Sequence, residues 1–216
     1  MDILFNGKIK GFRIEKIRRD KHYSMSINHF HSYYEIYYLL SGQRNYFIGS
    51  RSYFVKKGDL VIVDANQIHR TSNIADFGHE RILLEFEPSL FTDINSLFKD
   101  SFIVTSVFSK SGVFSLDEEE QSKIEKLLNS IMTEIQNQNT GYNGMVIAML
   151  IELFTFIIRK QEKVKHCDSF CGSIATSHHK IEEVADYISS HYSENINLDE
   201  LSELFYMSKY HLCRTF

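Results

Sequence analysis

Asn197-Leu-Asp-Glu-Leu-Ser-Glu-Leu-Phe-Tyr-Met-Ser-Lys-Tyr-His-Leu-Cys-Arg-Thr-Phe216 carries two helical signals separated by a tight connection. Asn197 can cap a helix while Glu200, three residues on, reaches back to it, which is the capping-box pattern. Leu198, Leu201, Leu204 and Phe205 then recur on one helical face. Tyr206-Met207 makes the connection, Ser208 caps a second helix, and Leu212 and Phe216 share its apolar face. Ser208, Lys209, Tyr210, His211 and Arg214 are left outward. They are the residue types that meet phosphates and base edges, so the spacing predicts a helix-turn-helix with these five as its DNA-contacting groups.

The stretch just upstream extends the pattern. Ser177 can cap a helix on which Ile181, Val184, Ala185 and Ile188 repeat at i, i+3, i+4 and i+7, ending near Tyr192. Taken together, Ile181-x-x-Val184-x-x-Tyr187-Ile188-x-x-His191-Tyr192, Ile196-x-Leu198-x-x-Leu201-Ser202-x-x-Phe205-x-Met207-Ser208 and His211-Leu212-x-Arg214-x-Phe216 resemble the opening of the DNA-binding domain of AraC/XylS-type transcription regulators. The match runs from about Lys180 to the last residue; Ser202 stands for a usual alanine and Cys213 for a usual serine. The resemblance implies promoter DNA as a partner. It also implies a domain of two such units joined by a long helix, so that the reader is expected to be C-terminally incomplete within these 216 residues.

A second constellation lies near the other end. His29-Phe-His31-Ser-Tyr-Tyr-Glu35, six residues and Gly42 put His29, His31 and Glu35 at one parity, hence on one side of a strand. Two imidazoles and a carboxylate suit a divalent transition metal. Gly58-x5-Asp64-Ala-Asn66-x2-His69-x3-Asn73 supplies a fourth candidate in His69. The two stretches resemble the two motifs of the cupin barrel, departing at Asp64 and Asn66, where the second usually has proline and glycine. The same four side chains also suit two uses without metal: hydrogen-bonded barrel residues, or direct contacts to a small-molecule effector.

The intervening sequence is that of a small barrel. Glu35–Leu40, Gln43–Ile48, Arg51–Val55, Leu60–Asp64 and Arg81–Phe86 are short β-branched or aromatic runs, broken at Ser41-Gly42, Gly49-Ser50 and Lys57-Gly58. No helix fits between them, which favours a closed antiparallel architecture over a doubly wound sheet. Tyr33, Tyr37, Arg44 and Tyr46 are the candidate effector-binding groups of its interior. The resemblance to AraC-like regulators implies a small-molecule effector, with a sugar as one candidate.

Two helices follow. Ser115-Leu-Asp-Glu118 reads as a capping box before the stripe Ile124, Leu127, Leu128, Ile131 and Ile135. Tyr142 to Arg159 is apolar on most sides, is shorter than the roughly 20 residues of a membrane span, and is expected to be a buried helix. In AraC-like regulators such helices form a homodimer contact, which the resemblance implies here. From Gln161 periodicity lapses, and 161–177 reads as a linker whose Cys167 and Cys171 are incidental thiols.

The expected organisation is a mostly β cupin-like barrel (1–110), an α-helical dimerisation region (111–160), the linker (161–177) and an incomplete all-α helix-turn-helix domain (178–216). Three cysteines give no disulfide framework and the first ten residues no signal-peptide core, so a cytoplasmic protein without a membrane is expected. Residues 178–216 hold three basic against seven acidic side chains, a net of −4 equal to that of the whole chain, so phosphate attraction rests on the second helix. The reading is an effector-controlled DNA-binding regulator and not an enzyme. Its alternatives are a metal-dependent cupin enzyme on His29, His31, Glu35 and His69, and a sensor-only dimer that modulates full-length partners.

Overall fold

The computed structural model of the chain describes residues 1–20, 23–25, 27–74, 78–98, 104–168, 184, 187–188, 191, 196–205 and 207–215. The side chains at 97, 98, 104, 164–168, 211, 214 and 215 lie outside that description. Two compact units, Met1–Lys163 and Val164–Phe216, are described separately.

Among its described residues the first unit has nine strands. β1 (Asp2–Ile9), β2 (Phe12–Arg19), β3 (Tyr34–Ser41), β6 (Asp59–Val63), β8 (His79–Phe86) and β9 (Gly112–Ser115) form a sheet in the order β1-β2-β8-β3-β6-β9. β4 (Gln43–Ile48), β5 (Arg51–Lys56) and β7 (His69–Asn73) form a second, ordered β5-β4-β7. All pairings are antiparallel. The expected runs are β3, β4, β5, β6 and β8; β1, β2, β7 and β9 were not anticipated. Gly49-Ser50 is the two-residue loop of the β4–β5 hairpin, with Gly49 at φ 60, a left-handed value that glycine adopts without a Cβ clash.

Period-two alternation divides the large sheet into two buried faces. Ile14, Ile36, Tyr38, Ile62, Ile82, Leu84 and Phe86 face a layer of helices: α1 (Pro88–Phe98), a short 3-10 turn (Val104–Ser109), α2 (Glu118–Asn137) and α3 (Tyr142–Asp168). Tyr37, Leu39, Val61 and Val63 face the other way and pack with Tyr46, Ile48 and Val55 of the small sheet. Sealing on both sides explains why β3 and β6 read as continuous apolar runs.

α2 buries the stripe expected of it, with Met132 added. Its cap is Asp117, not Ser115: Asp117 and Glu120 make the reciprocal capping-box bonds, while the Ser115 hydroxyl, at the end of β9, donates to Asp59 Oδ1 at 2.8 Å. α3 differs more from expectation. It continues through the first eight residues of the stretch read as linker, tied down where the Gln161 side chain donates to the Val107 carbonyl at 2.8 Å. At 27 residues it is not short, and Tyr142–Lys163 is long and apolar enough to cross a bilayer. Nor is it buried all round. Val146, Leu150, Leu153, Phe154 and Ile157 form a single core stripe, and only 28% of the apolar window is buried, with Met145 half exposed.

In the second unit, α4 (Leu198–Leu204) and α5 (Lys209–Thr215) form a helical hairpin. The Asn197–Glu200 capping box is present as expected. The Ser202 hydroxyl donates to the Met207 carbonyl at 2.6 Å and fixes the connection. Val184, Leu201, Met207 and Leu212 make the core, with Tyr187, Ile188, Ile196 and Phe205 against it. Leu198 and Leu204, expected on the buried face, are 39% and 51% exposed. They lie about 60° to either side of Leu201 around the helix, at the edges of a stripe too short to cover them. Ser177, Ile181, Ala185 and Tyr192, with Cys171 and residues 169–177 of the linker, lie outside the described residues.

Candidate functional site

The four residues of the motif-based set do come together. His29 and His31 precede β3, and His29 pairs with His69 through one antiparallel bridge, its N–H donating to the His69 carbonyl at 3.1 Å and its carbonyl accepting from the His69 N–H at 2.9 Å. They therefore do not share a strand with Glu35, as the parity argument assumed; a bridge to the start of β7 gathers them instead. The ligating nitrogens of His29, His31 and His69 lie within 4.8 Å of one another. Glu35, on β3, reaches two of them: its Oε2 is 3.4 Å from His31 Nε2 and 3.5 Å from His69 Nε2.

The local backbone explains this convergence. Asn66 sits at φ 62, in the left-handed region where the cupin motif usually has glycine, and asparagine is among the few side chains that tolerate it. Its N–H donates to the His31 carbonyl at 2.7 Å, joining the two motifs. His31 Nδ1 lies 2.9 Å from the Tyr33 carbonyl and His69 Nδ1 2.9 Å from the Gln67 carbonyl. A carbonyl only accepts, so in both rings Nδ1 carries a proton, and in a neutral ring Nε2 then turns a lone pair toward the centre. Those lone pairs face a carboxylate, which is also an acceptor. At 3.4–3.5 Å these are charge contacts rather than hydrogen bonds, and the arrangement calls for a shared proton or a cation.

The electrostatics agree. Burial alone would raise the Glu35 carboxyl, but His31, His69 and the Tyr46 hydroxyl outweigh it and hold the group well below the usual carboxylate range. Burial opposes charge on His69, yet the Glu35 carboxylate raises its pKa overall. His29 is lowered, by burial and then by the neighbouring His69. His29 Nδ1 and His69 Nε2 are buried and have no hydrogen-bond partner among the described residues. Three convergent imidazoles, two of them oriented by backbone carbonyls, fit a divalent transition ion, with Glu35 as a fourth ligand or an adjacent acceptor.

The predicted pocket residues line the same interior. Tyr33 stacks on His31, ring centroids 3.6 Å apart, and its hydroxyl is pushed up to about 12 by burial and by Glu85. Tyr46 donates to Glu35 and meets Tyr37 edge to face at 5.3 Å. Tyr37 is buried, which pushes its hydroxyl up to about 12. Arg44 is fully buried, a rare setting for a guanidinium, with Nε donating to Thr71 Oγ1 at 3.0 Å. Sequence reading missed Arg19, His79 and Arg81, which share this inner face; strand arginines read as surface until the β2–β8 register is known.

In the helical hairpin, Ser208, Lys209 and Tyr210 are exposed, and Lys209 pairs with Asp199 of α4. The side chains of His211 and Arg214 lie outside the described residues.

Residues 12–154 match the family described as the AraC-like ligand binding domain. The chain belongs to that family. An uncharacterized HTH-type transcriptional regulator of Bacillus subtilis (strain 168), YbfI, is 26% identical over 189 residues, covering 88% of this chain and 64% of that protein. The chain thus spans less than two thirds of the length of the curated relative it matches. Among solved structures, an apo variant of ToxT from Vibrio cholerae aligns over 95% of this chain and 74% of its own, with TM-score 0.52 and 11% identity, a likeness of fold. A Bacteroides fragilis cupin aligns over 37% of this chain and 69% of its own at TM-score 0.34 and 17% identity.

Proposed function

We propose that this protein is a DNA-binding transcription regulator whose affinity for promoter DNA is set by a small molecule bound inside the barrel. The observation that supports it best is the barrel interior itself: Glu35, Arg44 and His69 are buried among residues that otherwise form an apolar core, in the same chain as a capped helical hairpin with an outward Lys209 and Tyr210. Burying charge is costly, and a binding site is a reason to retain it. Such a regulator works beside DNA, in the cytoplasm.

In this reading Ser208, Lys209, Tyr210, His211 and Arg214 form the DNA-facing set. The Lys209–Asp199 pair is exposed, worth little in water, and is exchanged for a phosphate contact on binding. The outer face of α3, including Met145, forms a homodimer contact. When an ion occupies the imidazole cluster, His29, His31 and His69 hold it, and it supplies a Lewis-acid contact for an effector oxygen. A metal-dependent enzyme is the second reading, favoured by that cluster alone.

The test is fluorescence anisotropy with DNA from upstream of the protein's own gene, with and without a metabolite library. Sequence-selective binding that falls in Lys209→Ala and Tyr210→Ala and responds to a library member supports the regulator. Consumption of a library member by metal-loaded protein, with no DNA binding, supports the enzyme instead.

A further inference from the structure

At the end of the barrel interior away from the imidazoles, three guanidinium groups converge. Arg19 and His79 face each other across β2 and β8, Ile17 pairs with Arg81, and Tyr37 pairs with Leu83 across β3 and β8. Side chains alternate with period two, so Arg19, Tyr37, His79 and Arg81 all project from the inner face of the large sheet. Arg44 projects from β4 of the small sheet and is fully buried.

Each arginine is anchored on one edge and open on another. Arg44 Nη1 donates to the Tyr23 carbonyl at 2.6 Å and to Asn73 Oδ1 at 2.8 Å, yet its buried Nη2 has no hydrogen-bond partner among the described residues. Arg81 Nη2 donates to Glu15 Oε1 at 3.0 Å, leaving the buried Nη1 without one. Arg19 lies with Cζ 3.5 Å from the centre of the Tyr23 ring, its Nε buried and likewise without a partner. The Tyr37 hydroxyl and His79 Nδ1 complete the group, and both residues are at least nine-tenths buried. Five buried polar atoms without partners among the described residues depart from the rule that such groups are satisfied. Among the described partners of these arginines, Glu15 is the single carboxylate, and it is shared with Arg13. His79 registers the excess of positive charge: burial, then Arg44, Arg81 and Arg19, press its pKa down to about 3.

A guanidinium has donors and no acceptor lone pair, so a neutral polyol would leave Arg19 and Arg44 without a carboxylate partner among the described residues, Arg81 alone being paired, with Glu15. A carboxylate or phosphate offers planar or tripodal oxygens that guanidinium forks match. We propose that the barrel binds the oxyanion group of a small organic effector between β2, β4 and β8, held by Arg19, Arg44 and Arg81 with the Tyr37 hydroxyl as a neutral donor. This rests on the reading of the barrel as an effector site and narrows the effector to an organic acid or a phosphate ester.

The test measures binding to the full chain by calorimetry and thermal melting, using acetate, inorganic phosphate, glucose 6-phosphate and glucose, with chloride matching the ionic strength. The expected result is a higher Tm with an oxyanion probe and none with glucose or chloride; acetate against the phosphates identifies which oxyanion is preferred. Arg19→Gln and Arg81→Gln, whose folding is checked by circular dichroism, should each weaken that binding tenfold or more. They carry the test even if Arg44→Gln fails to fold. Glucose binding without oxyanion binding, no binding by any probe, or oxyanion binding equal in wild type and variants would overturn the proposal. Glucose binding alone leaves the effector reading standing. Arginine-dependent oxyanion binding that leaves DNA affinity unchanged supports the site and contradicts only its role as the control point.

Discussion

The Tyr46 hydroxyl donates to Glu35 Oε1 at 2.5 Å, and that bond joins the two sheets across the barrel interior, β4 to β3. Both residues are buried. Removing the hydroxyl leaves the carboxylate with one donor fewer in a low-dielectric setting, so Tyr46→Phe should lower stability by about 2 kcal/mol, read from the midpoint of urea denaturation. An unchanged midpoint would show that the two sheets are held without this bond.

His79 predicts a pH dependence. Its folded-state pKa, about 3, lies below the ordinary histidine value because burial and then Arg44, Arg81 and Arg19 oppose the charged form. The unfolded chain therefore binds more protons. The stability that depends on neutral His79 is fully present above about pH 6.5 and is lost as pH falls toward 3, at up to about 1.4 kcal/mol per unit. His79→Gln should flatten the slope of stability against pH over that interval; an identical slope in wild type and variant would contradict this assignment.

The imidazole cluster predicts metal binding of definite composition. Cobalt(II) added to metal-free protein should bind at one ion per chain with a visible absorption band from nitrogen ligation, and His29→Ala or His69→Ala should abolish it. Saturable uptake unaffected by either substitution would place the ion elsewhere.

Legibility followed the local physics. β3 and β6 stood out because continuous apolar runs reflect burial on both faces, β4 and β5 because aromatic and β-branched residues flank the Gly49-Ser50 turn, and the two helical caps were readable as side-chain patterns, although Asp117 outcompeted Ser115 at α2. His29, His31, Glu35 and His69 were legible from spacing, but their convergence depends on a bridge between distant segments. β2 was hidden by charge: in Phe12–Arg19 only Phe12, Ile14 and Ile17 are buried, among arginine, lysine and glutamate; β1 is largely exposed and has no buried face to betray it. Arg19, His79 and Arg81 were illegible for a deeper reason. Which face of a strand is inner depends on the register of β2 against β8, a non-local property.

The outer face of α3 predicts association. Met145 is half exposed and faces away from the Val146–Ile157 core stripe, so Met145→Glu should leave the fold intact while splitting a dimer, as read by sedimentation. A wild-type chain that is monomeric at tens of micromolar would remove α3 from any subunit interface.

The most direct test of the account is amide hydrogen exchange on the full chain, with and without a compound that raises its Tm, drawn from a library of small acids, phosphate esters and sugars. The prediction is slowed exchange concentrated in β2, β3, β4 and β8, around Arg19, Glu35, Arg44 and Arg81. Protection confined to the surface of α2 and α3, with the barrel strands unchanged, would contradict it.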